Sequence, residues 1–350
     1  MIKLLEQLSN RTEIEKICLL SFVNPVSLFN FRSDWKLLAA DLKSKGVNLK
    51  LSPMFFPIRW NYFTTLLAMV HCMPILLFTV LTGGYNTIHS RSYIAGLFGH
   101  ILQFLAWRIH IFDPRGPMPE EMAQNGYWLK GSPTFKFWKS IESKIIEHCS
   151  AVIAVTPGYK QQFKRRKAQK SVFIPNRGDV RYFVAESVSK PIAERPQFLF
   201  IGEMDSYWNR PELVAGRYSM LKTQIEQLEL NIVTRMDHEV VKRKLIEFGI
   251  DENDWNIQSS APKDIPSKIA GSTFGYLVST IHPEGVWPVK MAEYLACGIP
   301  LAVEGGTGSH MTNIVEKWKL GIVLRDSDNS SLQKAAEIVE NLPEYSQRCR

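Results

Sequence analysis

Cysteine is scarce and unpaired in this chain of 350 residues. The five cysteines are odd in number and widely separated: Cys18, Cys72, Cys149, Cys297 and Cys349. The sequence therefore offers neither a disulfide framework nor the closely spaced ligand pairs of a zinc site. This pattern favours a protein of the reducing cytosol, and we expect it to need no metal ion and no cofactor.

Signal-like and repetitive segments are also missing. The opening stretch MIKLLEQLSNRTEIEK carries charges throughout and has no uninterrupted apolar run, so it does not predict a secretory signal. No short-period repeat or low-complexity tract interrupts the chain. With 45% apolar and 22% charged residues, the composition is that of a folded globular protein. The length suits two domains of roughly 150 residues each.

Charge is distributed unevenly along the chain. Residues 1–190 contain 25 Lys or Arg and 12 Asp or Glu, whereas residues 191–350 contain 17 and 22. The first part is therefore at +13 and the second at −5. A basic surface attracts nucleic acid, anionic lipid or phosphorylated ligands, and charge alone does not choose among them. Nucleic acid is the least favoured partner, because the basic residues are not interleaved with aromatics in any recognised module.

One long apolar run, Tyr62 to Thr82, raises the question of a membrane. The run is long enough to cross a bilayer, but His71, Pro74 and several threonines interrupt it. We expect a helix that is buried in its domain or lies flat on a membrane beside the basic surface, rather than a true span.

Short β-rich apolar runs alternate with helical patterns along the whole chain, which predicts parallel sheets covered by helices. The loop at residues 186–197 is rich in Ser, Pro and charge, and we place the domain boundary there. The predicted domains are residues 1–190 and 191–330, each a Rossmann-like doubly wound sheet, followed by a C-terminal helical segment at 331–350.

Two open parallel sheets in one chain predict a cleft at the carboxyl ends of their strands, where such sheets bind ligands. Several polar residues and glycines follow predicted strands. On the first sheet these are Asn24, His89, Asp113, Arg115, Thr156 and Asn176, and on the second they are Gly202, Arg235 and the loop from Glu304 to Gly308.

The stretch from His282 to Val315 carries the strongest chemical signal. A helix with Lys290 and Glu293 ends at Gly298, a buried strand follows, and the glycine-rich loop EGGTGS precedes another helix. Backbone N–H groups at such a helix start suit a phosphate. Glu293 can accept hydrogen bonds from a ribose diol, so the stretch predicts a site for a nucleotide diphosphate.

These motifs resemble the GT-B glycosyltransferases, and among them glycosyltransferase family four. Pro288, Lys290, Glu293, Tyr294 and the run to Pro300 match the family pattern P-x-K-x-x-E-Y-L-A-x-G-x-P. VFIPNRGDVRYF looks like the segment that ends the first domain, and FLFIGEM looks like the strand and glycine loop that open the second. FDPRGPMPEE, GYW and DSYWN resemble loops of a bacterial branch that builds surface polysaccharides. The resemblance covers the whole chain in order.

The resemblance implies roles for individual residues. Donor contacts are expected from Gly202, Arg210, Arg235, Lys290, Glu293, Gly306, Thr307 and Gly308; catalysis from Asp113, Arg115 and His89; and acceptor contacts from Asn24, Arg91 and Glu120. The helix from Ser331 to Glu340 can cross back to the first domain in this fold. Two departures stand out: Gly285 occupies the position of the family's first glutamate, and only Arg210 is available for its diphosphate clamp.

The favoured function is transfer of a sugar from a UDP- or GDP-sugar to an acceptor that is lipid-linked or part of a polysaccharide, with retention. We expect a cytoplasmic enzyme at the inner face of the membrane, held by its basic first half. The alternatives are a GT-B-fold sugar-nucleotide epimerase and a degenerate GT-B subunit without turnover. For Asp113 and Arg115, the alternative roles are capping of the following turn and an internal ion pair.

Overall fold

The computed structural model describes residues 2–54, 61–178, 180, 182–184, 193–204, 209, 211–279, 287–305, 309–325 and 329–350. The chain forms two compact units. The first unit contains residues 1–88 and 98–110, and the second contains residues 89–97 and 111–350. The predicted domain boundary lies largely at residues 185–192, outside the described ranges, and stays a prediction.

The first half of the chain alternates strands with helices, as the sequence predicts. The strands are β1 (Ile17–Val23), β2 (Val47–Pro53), β3 (Thr87–Arg91), β4 (Ile109–Asp113), β5 (Ala151–Ala154) and β6 (Ser171–Phe173). The helices are α1 (Ile2–Ser9), α2 (Pro25–Asn30), α3 (Arg32–Ser44), α4 (Tyr62–Gly83), α5 (Tyr93–Leu105), α6 (Met118–Gln124), α7 (Pro133–His148) and α8 (Pro157–Arg165).

The second half follows the same alternation. Its strands are β7 (Gln197–Ile201), β8 (Glu229–Val233), β9 (Trp255–Gln258), β10 (Phe274–Ser279), β11 (Leu301–Gly305) and β12 (Gly321–Val323). Its α-helices are α9 (Pro211–Lys222), α10 (His238–Glu247), α11 (Ile265–Ile269), α12 (Val289–Ala296), α13 (His310–Trp318), α14 (Asn329–Glu340) and α15 (Leu342–Cys349). Short 3-10 turns span Glu252–Asp254 and Pro262–Asp264.

The strands form parallel sheets. In the first half, β1 pairs with β2, and β3, β4, β5 and β6 form a four-stranded sheet in that order. The second half has a six-stranded sheet in the order β12-β11-β10-β7-β8-β9, with parallel pairs throughout. Counted within that sheet, the order is 3-2-1-4-5-6, which is the Rossmann arrangement with its switch point between β7 and β10.

Alternate residues of the six-stranded sheet enter two cores. Phe198, Phe200 and Ile232 pack on one face with helices α9, α10, α14 and α15. Leu199 and Val303 pack on the other face with α11, α12 and α13. The period of two in burial puts an apolar surface on each face of the sheet, and helices cover both. This is the doubly wound architecture that the sequence predicts.

The C-terminal residues form two helices instead of the one expected from Ser331. Ile338 of α14 and Leu342 and Tyr345 of α15 belong to the core that contains Phe198. The hydroxyl of Tyr345 also donates to Glu337 at 2.8 Å. The C-terminal segment is therefore packed into the second sheet.

Helix α4 confirms the long apolar helix expected from the sequence. It begins at an Asn61–Thr64 capping box and ends at Gly84, whose φ of 59° is left-handed. Of the described residues, this helix alone is long and apolar enough to cross a membrane, by length and composition. Only 22% of that apolar window is buried, which contradicts the first of the two expected alternatives, a helix buried in its domain. The second alternative, a helix that lies flat on a membrane, stays a prediction.

Candidate functional site

Asp113 ends strand β4 and organises the loop that follows. Its Oδ1 accepts a hydrogen bond from the backbone N–H of Arg115 at 3.2 Å, so its carboxylate caps the DPRG turn. Its Oδ2 lies 3.5 Å from Nε of Arg91, which ends the neighbouring strand β3. The structure therefore brings together two of the predicted residues, and the carboxylate serves a turn and an ion pair at once.

Arg115 is exposed and forms no ion pair with any residue in the described ranges. Its backbone is in the left-handed region, with φ of 68°, which is uncommon for a residue with a side chain. Glu121 lies nearby, and its carboxylate occupies the space that a side chain at Gly116 would fill. Burial and the charge of Glu120 raise the pKa of Glu121, and Arg115 partly offsets this. The guanidinium of Arg115 is thus available for an external anion.

His89 lies on β3 beside the same loop. Its ring reaches solvent, but surrounding protein desolvates it and lowers its pKa below the usual value. Asp113 opposes that shift and Arg91 adds to it. The imidazole is consequently neutral near neutral pH, and a neutral imidazole can accept a proton from a hydroxyl group.

Glu120, a predicted acceptor ligand, belongs to a buried charge cluster. Its Oε1 is 2.8 Å from Nζ of Lys139, which also contacts Glu142 at 2.5 Å. Nη2 of Arg166 lies 2.8 Å from Oε2 of Glu142, and the hydroxyl of Tyr93 donates to Oε1 of Glu142 at 2.5 Å. Burial by itself would raise the pKa of Glu142, but the two cations lower it below the usual value. The geometry gives Glu120 a structural partner.

Asn24, the other predicted acceptor ligand, caps helix α2 in the first unit. Its side chain accepts a hydrogen bond from the backbone of Val26 at 2.9 Å. The helix that it caps lines an open groove of about 650 Å³. The walls of the groove are mainly apolar, including Leu28, Trp35 and Leu51, and two cations, Arg32 and Lys36, stand at its edge.

Helix α12 presents Lys290 and Glu293 because its other face is anchored. Met291 and Tyr294 are fully buried against the sheet, and the ring of Tyr294 fills the space beside Gly275 of β10, where a Cβ would lie 2.3 Å from it. The outward residues form an ion pair, with Lys290 Nζ 2.6 Å from Glu293 Oε2. Tyr294 of the matched pattern is therefore structural, whereas Lys290 and Glu293 are directed away from the core.

A second matched segment meets the start of α12. The amide of Asn176 donates to the carbonyl of Trp287 at 2.6 Å, and the indole of Trp287 donates to the carbonyl of Asn176 at 3.0 Å. Gly178 lies against the α12 backbone, where a Cβ would be 3.3 Å from Ala292. Reciprocal hydrogen bonds thus join the segment IPNRG to Trp287, the residue immediately before PVKMAEYLACGIP, although the two are far apart in sequence.

The predicted donor contacts after β7 and β8 are only partly described. The N–H of Gly202, the residue after β7, donates to the carbonyl of Val233, the last residue of β8, at 3.0 Å. Arg235 is exposed and pairs with Glu203 at 2.9 Å. Arg210 lies outside the described residues.

Glu304 at the end of β11 is held rigidly. Nε and Nη2 of Arg217 each donate to one of its oxygens at 2.9 Å, and the hydroxyl of Tyr276 donates at 2.9 Å. Burial and the neighbouring carboxylate raise the pKa of Tyr276 well above its usual value, which keeps this hydroxyl a donor. The start of the EGGTGS loop is therefore fixed by three hydrogen bonds.

The end of that loop carries a buried polar atom. Ser309 is completely buried, and its Oγ has no hydrogen-bond partner among the described residues. It precedes α13, where backbone N–H groups without helical partners favour an anion. Gly306, Thr307 and Gly308 lie outside the described residues. A ligand oxygen would satisfy the hydroxyl, and a phosphate fits both features.

An aromatic pair flanks the same helix start. The rings of Trp287 and His310 have centroids 5.3 Å apart, and burial lowers the pKa of His310.

Within the described ranges, no three His, Cys, Asp or Glu side chains converge as a metal site requires.

Sequence reasoning missed Ser309, Arg217, Tyr276, Trp287 and His310. Ser309 stands inside the quoted EGGTGS motif, so its position just before a helix was a usable signal. Arg217 and Tyr276 act through Glu304 from distant parts of the chain, and no local pattern reports such a contact.

The structure is similar to solved structures of sugar-nucleotide enzymes over nearly its whole length. It matches a sucrose-phosphate synthase from Thermosynechococcus elongatus at a TM-score of 0.66 and 15% identity, over 96% of this chain and 92% of the other. It matches Anabaena HepE, solved in complex with UDP-glucose, at a TM-score of 0.64 and 14% identity, over 95% and 92%. It also matches a putative UDP-N-acetylglucosamine 2-epimerase from Listeria monocytogenes at a TM-score of 0.54 and 10% identity, over 95% of this chain and 90% of the other.

These likenesses show that the chain has the GT-B fold, with Rossmann-like sheets, as the sequence predicts. No protein-family model matches the sequence, and the search of curated proteins found no match. Membership of glycosyltransferase family four stays a prediction.

Proposed function

We propose that this protein is a glycosyltransferase that moves a sugar from a nucleotide-diphosphate sugar to an acceptor. One observation carries the proposal: Lys290, Glu293 and the unsatisfied hydroxyl of Ser309 all follow strands of a sheet with Rossmann order. Helix starts that follow parallel strands lie at the carboxyl edge of the sheet, where ligands bind. The similarity to a structure with UDP-glucose supports a UDP-sugar, although a GDP-sugar stays open.

The donor would be held by charge and by hydrogen bonds. Glu293 would accept from the ribose diol, and Lys290 would stabilise the diphosphate. Ser309 Oγ and the first N–H groups of α13 would donate to phosphate oxygens. We propose Gly202, Arg235, Arg210 and the residues Gly306 to Gly308 as further donor contacts. The two ends of their loop are positioned by Glu304 and α13.

The acceptor would meet the loop after β4. Arg115 would hold a phosphate of the donor or the acceptor, Asp113 would orient an acceptor hydroxyl, and His89 would accept its hydrogen bond. Arg91 would act through Asp113, and Glu120 would shape the surroundings through its ion pair with Lys139. Asn24 of the first unit stays a predicted acceptor contact.

The step would proceed with retention and without a fixed protein nucleophile. A donor phosphate oxygen would help to remove the acceptor proton as the sugar–phosphate bond breaks. Catalysis would then consist of positioning and of stabilising charge on the leaving diphosphate, for which arginine, lysine and helix starts are suited.

We propose a lipid-linked or polysaccharide acceptor and a cytoplasmic enzyme at the inner face of the membrane. The support is the excess of 25 basic over 12 acidic residues in residues 1–190 and the apolar groove with two cations. Polysaccharide biosynthesis is the corresponding pathway class.

A thermal-shift and calorimetry series with UDP, GDP and ADP and their sugars tests the donor site. A ligand at a hundred times its dissociation constant stabilises the folded state by about 2.7 kcal/mol. Stabilisation by one nucleotide family is expected. No stabilisation by any of them would contradict the proposal.

Epimerisation is the second candidate, since one similar structure is a putative sugar-nucleotide epimerase. Incubation of the preferred nucleotide sugar without acceptor separates the candidates. A changed sugar configuration in that incubation would favour the epimerase. Nucleotide binding without turnover under any condition would favour a degenerate subunit.

A further inference from the structure

The outward face of α4 is mainly apolar, and His71 and Thr82 are the exposed polar residues among those whose burial is described. Phe63, Val70 and Phe78 are 67%, 69% and 66% exposed, and Leu66, Leu67 and Leu81 are each more than half exposed. Most of these residues recur at intervals of three and four, which places them on one side of the helix. The helix contains no Asp, Glu, Lys or Arg. The solvent-facing side of a surface helix normally carries charged and polar residues, so this side is suited to another apolar phase.

The opposite face of α4 fixes the helix to the first unit. Thr65, Ala68 and Cys72 are buried, and Val80 packs with Leu102 of α5 and with Ala106 just after it. Nε2 of His71 also lies 2.8 Å from the carbonyl of Pro53. These contacts run from the first turn to the last, so the helix lies on its unit for about 33 Å at 1.5 Å per residue. The exposed face is therefore parallel to the helix axis, which suits an in-plane contact rather than a crossing.

Exposed apolar residues also lie at and just after the end of α5. Trp107 is 90% exposed, and Phe104, Leu105 and Ile109 are each more than half exposed. The chain after α5 meets the chain after α4, because the N–H of Ile109 donates to the carbonyl of Asn86 at 3.0 Å. Tryptophan concentrates where hydrocarbon meets the polar headgroups. We name the exposed residues of α4 together with Phe104, Leu105 and Trp107 the apolar face.

A cation lies at the end of α4. Nζ of Lys16 is 5.5 Å from the ring centre of Tyr85, and a Cβ at Gly84, where α4 ends, would lie 3.2 Å from it. Residues 1–88 and 98–110 together contain 10 Lys or Arg and 5 Asp or Glu. An apolar strip beside excess positive charge matches an anionic bilayer, which offers hydrocarbon and negative headgroups together.

We propose that the apolar face inserts into the headgroup layer of an anionic membrane, with α4 lying in the plane of the interface. The proposal does not depend on sugar transfer, because lipid binding is measured without nucleotide. It also goes beyond attraction by a basic surface. Apolar insertion predicts binding that persists in salt, whereas purely electrostatic attraction is screened.

Flotation of the full chain with phosphatidylcholine vesicles, with and without about one-third phosphatidylglycerol, tests the proposal. We expect strong binding to the anionic vesicles and retention of most of it at about 1 M salt, where the Debye length is only about 3 Å. The triple variant Phe63→Gln, Val70→Gln, Phe78→Gln should lose at least about tenfold in partitioning, since each change removes apolar insertion.

The matched control replaces three exposed apolar residues of the second unit: Ile246→Gln, Phe248→Gln, Trp318→Gln. Binding by the control should equal that of the parent chain. Equal binding by both triple variants at high salt would overturn the proposal. So would an α4 variant that changes only the oligomeric state in solution, which would make the face an interface between copies.

Cysteine labelling tests the in-plane orientation. In a Cys18→Ser background, Leu66→Cys and Leu81→Cys should react with a membrane-impermeant thiol reagent before vesicles are added, and both should be protected afterwards. Protection of both ends supports the proposal. Continued reaction of both ends, or protection of one end only, would overturn it.

Discussion

The loop after β4 and the start of α13 both follow parallel strands, but their polar groups are arranged differently. At the first, Asp113 is occupied by the backbone of Arg115 and by Arg91. At the second, Glu304 is fixed by Arg217, and the hydroxyl of Ser309 is buried without a partner in the described ranges. A rigid site with an unpartnered donor suits an invariant anion such as a diphosphate. An exposed arginine on a strained loop suits a more variable ligand.

The largest effect is expected at the donor side. Glu293→Ala should weaken nucleotide binding by about a hundredfold, or about 2.7 kcal/mol, because hydrogen bonds to a charged carboxylate are lost. Isothermal calorimetry with the preferred nucleotide measures this. Glu316→Ala is the control. Glu316 lies on α13 and forms an exposed ion pair with Arg325. Unchanged affinity and unchanged transfer in Glu293→Ala would remove this site.

The variant Arg217→Met tests whether Arg217 holds Glu304 in place at the end of β11. Both partners of this ion pair are only 15% exposed, so removing the cation leaves a poorly solvated carboxylate. We expect a loss of about 2 to 3 kcal/mol in the free energy of unfolding, measured by denaturant titration. Arg235→Met, which breaks an exposed pair, should cost less than about 0.5 kcal/mol. Equal losses would show that Glu304 is not held as described.

The acceptor side should respond in rate rather than in affinity. Arg115→Ala should lower transfer by about tenfold while nucleotide affinity stays unchanged, since a group that acts on developing charge acts mainly in the transition state. A fall in nucleotide affinity of the same size would assign Arg115 to the donor instead.

Asp113→Asn separates the cap from the charge. Asparagine keeps the cap but loses the partly exposed ion pair with Arg91, so the free energy of unfolding should fall by no more than about 1 kcal/mol. A fall in transfer beyond what this small loss of stability explains would then report the carboxylate. Normal transfer in the Arg115→Ala, Asp113→Asn double variant would return this loop to a purely structural role.

The smallest effect concerns pH. The pKa of His89 is lowered by burial, so the unfolded chain binds the proton more tightly than the folded chain. Stability should therefore fall as pH drops below about 6.5, the usual histidine value, until the folded-state pKa is passed. His89→Gln should reduce this slope, measured as the free energy of unfolding against pH. An unchanged slope would show that His89 is solvated like a free histidine.

Local pattern predicts most of the strands and the parallel architecture. The runs ICLLSFV, ELNIV and LAVEG are strands, and each matches the sequence expectation within a few residues. Helix ends are less predictable. Serine is a preferred N-cap residue, yet Ser33 lies inside α3, which begins at Arg32 with Phe31 at the cap position. Sequence reasoning missed the short strands β6 and β12 as separate elements, because three residues carry little periodicity.

The candidate site is predictable only where neighbours in sequence act together. Lys290 and Glu293 are one helical turn apart, so their joint position follows from periodicity. Arg217 reaches Glu304 only through the packing of α9 on the sheet, and Glu120 meets Lys139 through the packing of α6 and α7. Such contacts depend on tertiary structure, and periodicity has no information about them.

The close contact between Gly275 and the ring of Tyr294 limits which pairs of residues the two positions can hold. The ring of Tyr294 occupies the volume of the missing side chain, so a larger residue at 275 would require a smaller one at 294. The two positions should therefore covary among homologues: glycine in the central strand with tyrosine in the helix, or a side chain in the strand with a small residue in the helix. This constraint is steric, so it would hold whether or not the residues of the sugar-nucleotide pattern are kept.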